Sequence, residues 1–437
     1  MKRILPLLFF VFTFSLFVGS VSAQGKLTLP DAISIALKNS YNIQLAKDNV
    51  EIATINNNIG VAGGLPIVNA QVIDNEQVTS INQKFPDPSR DVKRDGVSAN
   101  NLTGNITASI LLYNGFRVKA AKSRLEELSR LNQGLLNAQI QNTLAAVNTG
   151  YYNVIRQQYF LRSLNQSIEV SKNRLFILNS RKEVGLANNA DIFQAQLDLN
   201  TLIQSAEAQT LVINQSKTDL LNLIFVNPDS SIVISDTIII DRTINYTEIK
   251  SLAQKNPQLI ASEQQIKINQ YLEREVAALR SPTLRASAGY NLSSTNSAAG
   301  FILQNQSYGP QVGLSLAIPL YNGSINKRQQ QVAEVNTRIA KTQRDNLLLS
   351  IQTGIVKTYQ TYTSTLDQLK TSKENYELSI KLLDLVMQKF QLGQATIIDV
   401  RVAQQSFEIE SFRLANLAFT AKVAEIELKR LANLLQP

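Results

Sequence analysis

Leu112-Tyr113-Asn114-Gly115 closes a segment of alternating apolar residues, and Leu320-Tyr321-Asn322-Gly323 closes another one 208 positions later. A second pair of landmarks keeps the same spacing. Gly185-Leu186-Ala187-Asn188-Asn189-Ala190-Asp191 returns as Gly393-Gln394-Ala395-Thr396-Ile397-Ile398-Asp399, and Ala195-Gln196 returns as Ala403-Gln404. Landmarks of different kinds that share one offset indicate two copies of a single unit, so the fold is expected to pair them. Lys38-Asn39-Ser40 and Lys255-Asn256-Pro257 are offset by 217, which places a small insertion or deletion early in the unit.

Ahead of each Tyr-Asn-Gly the side chains alternate. Val312, Leu314, Leu316, Ile318 and Leu320 are interleaved with Gly313, Ser315, Ala317 and Pro319; Ile106, Ala108, Ile110 and Leu112 with Thr107, Ser109 and Leu111. From Pro282 to Leu292 one face carries Leu284, Ala286, Ala288, Tyr290 and Leu292, and Val68, Ala70 and Val72 begin a fourth, weaker segment. Period two with one apolar face predicts strands, and about ten such residues fit a membrane barrel strand. A soluble sandwich alternates too, but its strands recur every ~8 to 12 residues. Here the two strand pairs stand roughly 170 residues apart, with helical sequence between them. Asn82 to Asn100 and Asn296 to Gly309 are expected to be surface loops joining paired strands.

Gly115 to Glu183 lacks proline, as does Gly323 to Leu392. At 1.5 Å per residue, about 65 helical residues span roughly 100 Å. Ile351, Ile355, Tyr359, Tyr362, Leu366 and Leu369 continue a three-and-four spacing that predicts a coiled-coil stripe. Gly185 and Gly393 are natural helix stops, each followed by a returning helix. Gly134, Gly150 and Gly354 interrupt the helices at a cost of about 1 kcal/mol each relative to Ala. Shorter opening helices are expected over Leu27 to Ile59 and from Tyr246, each ending before a proline, Pro66 or Pro282. The expected organisation is a signal peptide at 1–23, a first repeat at 24–226, a linker at 227–245 and a second repeat at 246–437. The linker, rich in Asp, Ser and Thr around Ile238-Ile239-Ile240, reads as an irregular belt with short strands.

Lys2 and Arg3, the apolar run Ile4 to Val18 and the small-residue end Val21-Ser22-Ala23 predict secretion, with cleavage before Gln24. The chain contains no Cys, so neither disulfides nor a cysteine-linked lipid are expected. It also contains no His. Zinc and copper sites of the usual kind then lack ligands, and triads built on His or Cys cannot be assembled. No enzyme activity, cofactor or metal is expected. The net charge is +9, falling to +7 once Lys2 and Arg3 are removed (41 basic less 34 acidic residues). These charges are dispersed among Gln, Asn and Ser, which predicts a solvated surface and no nucleic-acid partner.

The paired Tyr113-Asn114-Gly115 and Tyr321-Asn322-Gly323, with the paired turns Gly185…Asp191…Ala195-Gln196 and Gly393…Asp399…Ala403-Gln404, make the chain resemble the TolC-like outer-membrane efflux family, from Leu27 to Leu435. The resemblance implies a mainly α protein with a membrane β-barrel portion. Long antiparallel coiled-coil hairpins would form an α-barrel, and four strands per chain would join the barrel of a homotrimer in a Gram-negative outer membrane. It further implies a passive conduit of a tripartite efflux or type I secretion system, working with a periplasmic adaptor (membrane fusion) protein and an inner-membrane transporter. Physics favours the oligomer independently: four strands leave two open edges in outer-membrane lipid and are too few to close a bacterial barrel. The rival reading is a periplasmic structural or adaptor coiled coil without a pore.

Asp191 and Asp399 stand six positions past the turn glycines. In a trimer they would form acidic rings at a constriction; equally, each would favour the first turn of its helix. By resemblance Asp399 belongs to the inner hairpin and is the better gating candidate. Members of the family whose inner hairpin is locked by a Tyr and an Arg carry them where this chain has Phe390 and Ala395, so that lock is not expected here; Arg401 is the candidate substitute. Gly185, Leu186, Leu392 and Gly393, beside basic residues, are read either as adaptor-docking turns or as ordinary helix caps. Tyr113, Gly115, Tyr321 and Gly323 mark the strand–helix junctions.

Overall fold

The computed structural model describes residues 25–298 and 302–436; the signal segment 1–23 lies outside them. In chain order the elements are β1 (Gly25–Lys26), α1 (Leu29–Asn39), α2 (Tyr41–Asn56), β2 (Ile67–Gln83), β3 (Val92–Tyr113), α3 (Arg117–Glu183) and α4 (Asn189–Leu223). Then follow β4 (Ile232–Val233), α5 (Tyr246–Leu252), α6 (Pro257–Ala277), β5 (Thr283–Ser297), β6 (Gln304–Ala317), α7 (Ile325–Gln391) and α8 (Ile397–Leu431). The chain is mainly helical with one four-stranded antiparallel sheet. Among the described residues no helix is long and apolar enough to cross a membrane.

Helices α3 and α7 are each 67 residues long, and α4 and α8 are each 35. Every one of these ends in the second pair falls 208 positions after its counterpart in the first. Four pairs of left-handed backbone positions keep the same step: Gly115 and Gly323, Phe116 and Ser324, Gly185 and Gly393, Phe225 and Asn433; Gly63 and Gly96 have no such counterpart. The chain makes each strand-to-helix passage with two successive left-handed residues. It ends each long helix with a residue whose following N–H reaches back five positions, as Leu186 to Arg181 at 2.8 Å and Gln394 to Lys389 at 2.8 Å.

The expected opening helix from Leu27 to Ile59 is two helices. Ser40 breaks it, its Oγ accepting the Ile43 N–H at 3.3 Å as the N-cap of α2. Asn256 does the same for α6, ahead of Pro257 in the first turn. Helix α2 ends at Asn56, well before Pro66, whereas α6 and a 3-10 turn run almost to Pro282. Part of the linker pairs, as β4 lies parallel to β1.

The sheet runs β2-β3-β5-β6, with β2 and β6 as its edges. Its strands are 17, 22, 15 and 14 residues long, well beyond the expected ten. Most of Asn82 to Asn100 and part of Asn296 to Gly309 are therefore strand, leaving 84–91 as one connection; residues 299–301 of the other expected loop lie outside the described residues. The added length is polar: Asn100 Nδ2 donates to Asp74 (2.6 Å) and Glu76 (2.9 Å), and the Thr295 hydroxyl donates to Asn101 (3.0 Å). Hydrogen bonding replaces alternation there, so hydrophobic period two cannot find it. Conversely, β6 stops at Ala317, and Leu320 lies beyond it; Pro319 has no N–H to extend a ladder.

The register sorts the two faces. One carries Val68, Ala70 and Val72 on β2, Leu102, Ile106, Ala108 and Ile110 on β3, Leu284, Ala288, Tyr290 and Leu292 on β5, and Tyr308, Val312, Leu314 and Leu316 on β6. Within the chain this face is open; Val312 is 87% exposed and Leu314 is 74% exposed. The other face is Asn, Gln, Ser, Thr and Gly for most of its extent.

The helical chain divides into two compact units. One holds the sheet with Ala36–Thr149, Ile240–Glu374 and Leu417–Pro437. Ile249, Leu259, Ile355, Tyr362 and Leu428 form its core, and the Tyr362 hydroxyl donates to the Asp241 carbonyl. The other, up to Ile35 with Gly150–Ile239 and Asn375–Asn416, contains both hairpin turns. Its core joins Leu178, Ala195, Leu383, Phe390, Val400 and Phe407.

Candidate functional site at the hairpin turns

The turn from α3 to α4 is built by two local rules. Gly185 adopts φ +75°, a conformation that costs other L-residues roughly 1–2 kcal/mol. Asn188 then caps α4, its Oδ1 accepting the Asp191 N–H at 2.9 Å. Val184 and Leu186 are left outside, 69% and 76% exposed. The turn from α7 to α8 follows with Gly393 at φ +77° and Leu392 73% exposed. Three apolar side chains thus stand exposed on the turns of the chain, flanked by Arg181, Lys182 and Lys389.

The two aspartates are used differently. Asp399 closes a reciprocal box: the Thr396 N–H and hydroxyl each donate to its Oδ2 at 2.8 Å, and the Asp399 N–H donates to Thr396 Oγ1 at 3.2 Å. Those bonds, the backbone one first, hold its carboxyl below the usual carboxylate range, so it stays anionic and exposed near neutrality. Asp191 contributes its N–H to the Asn188 cap and is half-buried. Each acid lies in the first turn of its helix, where the dipole favours it.

Phe390 is 1% exposed and anchors the core beneath the turn, with Ala395 packed against the same cluster. Its partner is one that sequence reasoning did not select. The Arg181 guanidinium donates to the Phe390 carbonyl and lies over its ring, with Cζ 4.7 Å from the centroid. The bond neutralises a carbonyl at the C-terminal end of α7, and the ring contact adds a cation–π attraction. The two hairpins are thereby tied at their turns by Arg181, 209 positions before Phe390. Arg401 is exposed; burial pulls the Arg174 guanidinium below its ordinary range against the opposing pull of Asp198, and the charge of Arg401 adds the smallest contribution to the lowering.

Arg174 is a second residue the sequence reading passed over. It is fully buried, paired with Asp198 at 2.9 Å, and follows Ser163, Ser167 and Ser171 along one buried face of α3. Polar residues repeating at the spacing of a core stripe were its only signal. Beside this seam a groove of about 660 Å³ opens between the hairpins, lined by Leu161, Arg162 and Glu169 of α3, Ile380 and Asp384 of α7, and Phe407 of α8.

At the junctions, Gly115 lies against the 3-10 turn after α6, and the Tyr113 and Phe116 rings meet edge to face at 5.8 Å. Gly323 adopts the same φ in open space, and Tyr321 is 84% exposed.

Comparison with known proteins bears on this architecture directly. The sequence profile of the family described as Outer membrane efflux protein matches residues 32–224 and 249–434. Outer membrane protein TolC of Vibrio cholerae is 23% identical over 304 residues, covering 66% of this chain and 67% of that protein. Outer membrane protein TolC of Escherichia coli K12 is 21% identical over 346 residues, covering 76% and 70%. The crystal structure of the outer membrane protein VceC from Vibrio cholerae superposes with a TM-score of 0.74 at 17% identity, over 92% of this chain and 95% of that one. At that identity the superposition speaks for the fold.

Proposed function

This chain belongs to the outer membrane efflux protein family, and on that footing we propose that it is the passive trimeric exit duct of a tripartite efflux or type I secretion system. The observation that carries the reading is the four-stranded sheet, open at β2 and β6, with one apolar and one polar face. Backbone donors on an open edge have no partners in hydrocarbon. Three chains contribute twelve strands, an even number sufficient for a closed barrel around a water-filled lumen. The apolar face then meets lipid and the polar face lines the passage. The equal helix lengths and the shared step of 208 residues support two tandem copies of one ancestral unit in each protomer. Transport is downhill through the duct and no catalytic step is assigned to it. Energy enters from an inner-membrane transporter through a periplasmic adaptor.

The turns of the two hairpins are the docking surface for that adaptor. Leu186 and Leu392 supply apolar contact beside basic side chains, and the caps and the Arg181–Phe390 tie hold the turns rigid for recognition. The anionic Asp399 and Asp191 form acidic rings near a constriction in the trimer, attracting cations. Replacing Gly185 with Ala and Leu186 with Asp together is expected to abolish co-purification with the adaptor, and export with it, at unchanged trimer yield. Retained co-purification and export would remove the turns from the docking surface.

A further inference from the structure

The polar face of the sheet is almost free of charge. In its continuously paired part it presents Ile67, Asn69, Gln71, Ile73, Asn75, Gln77 and Thr79 on β2, opposite the Val97 to Leu111 stretch of β3. Strand β5 contributes Ser287, Gly289, Asn291, Ser293 and Thr295, and β6 contributes Asn305, Ser307, Gly309, Gln311, Gly313 and Ser315. Arg285 is the one charged residue on this face among the described residues of that paired part. It stands opposite Leu111 of β3 and Ser315 of β6, near the end of the sheet where the strands meet the helices. Its side chain is exposed, and its Nη1 donates to Ser109 Oγ at 3.3 Å, which places the guanidinium along the polar surface. Among the described residues of that paired part no carboxylate shares the surface; Asp74 and Glu76 belong to the opposite face, where Asn100 binds both. Lys93, Arg94 and Asp95 lie past the register break at the far end, Arg94 donating to the Ala298 carbonyl.

We propose that Arg285 is a selectivity residue of the duct: three copies form a cationic ring at the helix-proximal end of an otherwise uncharged barrel wall, favouring passage of anionic solutes. This rests on the reading of the sheet as one third of a barrel with its polar face inward. An arginine stays protonated at any working pH, and its fork suits carboxylate, sulfate and phosphate groups. Within that paired stretch of amides and hydroxyls Arg285 alone sets the sign of the local potential; Arg94 past the register break and the aspartates of the hairpin turns belong to other parts of the chain. Three unit charges across a water-filled lumen, screened over about 10 Å in ~0.1 M salt, change the anion-to-cation ratio about threefold.

The test is the reversal potential of the purified full chain in planar bilayers under a KCl gradient. Arg285→Gln is expected to lower the chloride-to-potassium permeability ratio about threefold in ~0.1 M salt, and much less in ~1 M, where the screening length falls to about 3 Å. Because the chain has no other cysteine, Arg285→Cys provides a second arm. A cationic aminoethyl thiosulfonate should restore the wild-type ratio, and an anionic sulfonatoethyl one should push it below that of Arg285→Gln. Channels that conduct normally but keep their ratio in all these forms would overturn the proposal alone. A wild-type protein that inserts and does not conduct would overturn the duct reading, and the proposal with it.

Discussion

Gly115→Ala is expected to cost about 2 to 5 kcal/mol, a large share of the about 5–15 kcal/mol by which a scaffold of ordinary stability is folded. Two separate penalties add. Gly115 sits at φ +66°, a left-handed position worth roughly 1–2 kcal/mol against any residue with a Cβ. The new methyl carbon would also lie 2.4 Å from both Cβ and Oγ of Ser281 and 3.3 Å from the Ala278 carbonyl oxygen. Backbone on one side and a short, fixed side chain on the other leave no flexible end to yield, and overpacking of this kind costs about 1–3 kcal/mol. Gly323→Ala is the internal control, since φ there is +67° but the space around it is open. It should show only the first penalty. Urea midpoints read from helical circular dichroism separate the two variants, and Ser281→Gly should relieve the overpacking in Gly115→Ala, leaving a loss close to that of Gly323→Ala. Equal losses at both glycines would contradict the close approach between the strand–helix junction and the end of α6.

The second large effect lies in the other unit. Asp198→Ala is expected to destabilise by about 3–5 kcal/mol, because it strands a charge where water does not reach. Arg174 is 0% exposed, and its Nε and Nη1 have no hydrogen-bond partner; the Asp198 carboxylate at 2.9 Å is its main compensation, with Ser171 Oγ at 3.4 Å. Arg174→Met should cost far less, since the apolar stem keeps its packing and no buried charge remains. The double variant Arg174→Met, Asp198→Ala should recover most of the loss of Asp198→Ala, giving a coupling well outside the ~0.5 kcal/mol expected of independent sites. Additive losses would mean that the pair is solvated and carries little.

Much of this architecture was written in local patterns. The absence of proline from Gly115 to Glu183 and the stop at Gly185 delimit α3 closely, because helix ends are fixed by neighbours in the chain. The apolar halves of β3 and β5 were visible through period two. Their outer halves were not, since residues such as Asn100 and Thr295 are held by side-chain hydrogen bonds rather than by contrast between faces. Ser40 breaks its helix through one hydroxyl, a signal too small to stand out in a continuing apolar stripe. Gly134 looked like a cost without return. The structure supplies the return: a Cβ there would stand 3.3 Å from that of Ala261, so the glycine lets α3 and α6 approach closely.

The hairpin turns were legible for the same local reason, and the residues that tie them were not. Arg181 and Phe390 meet across 209 positions, and no spacing rule connects them. Arg174 was hidden by its company: three serines at core spacing read as a solvated face until burial shows otherwise. Arg285 needed the register. Only when β5 is aligned against β3 and β6 does its side of the sheet prove to be the uncharged one.

The mass of the full-length protein extracted from outer membranes, weighed intact in detergent, tests the central claim most directly. A duct completed by neighbouring chains predicts three copies that stay together until the strands unfold and that precipitate when surfactant is withdrawn. A single copy, monodisperse in surfactant-free buffer, would contradict it.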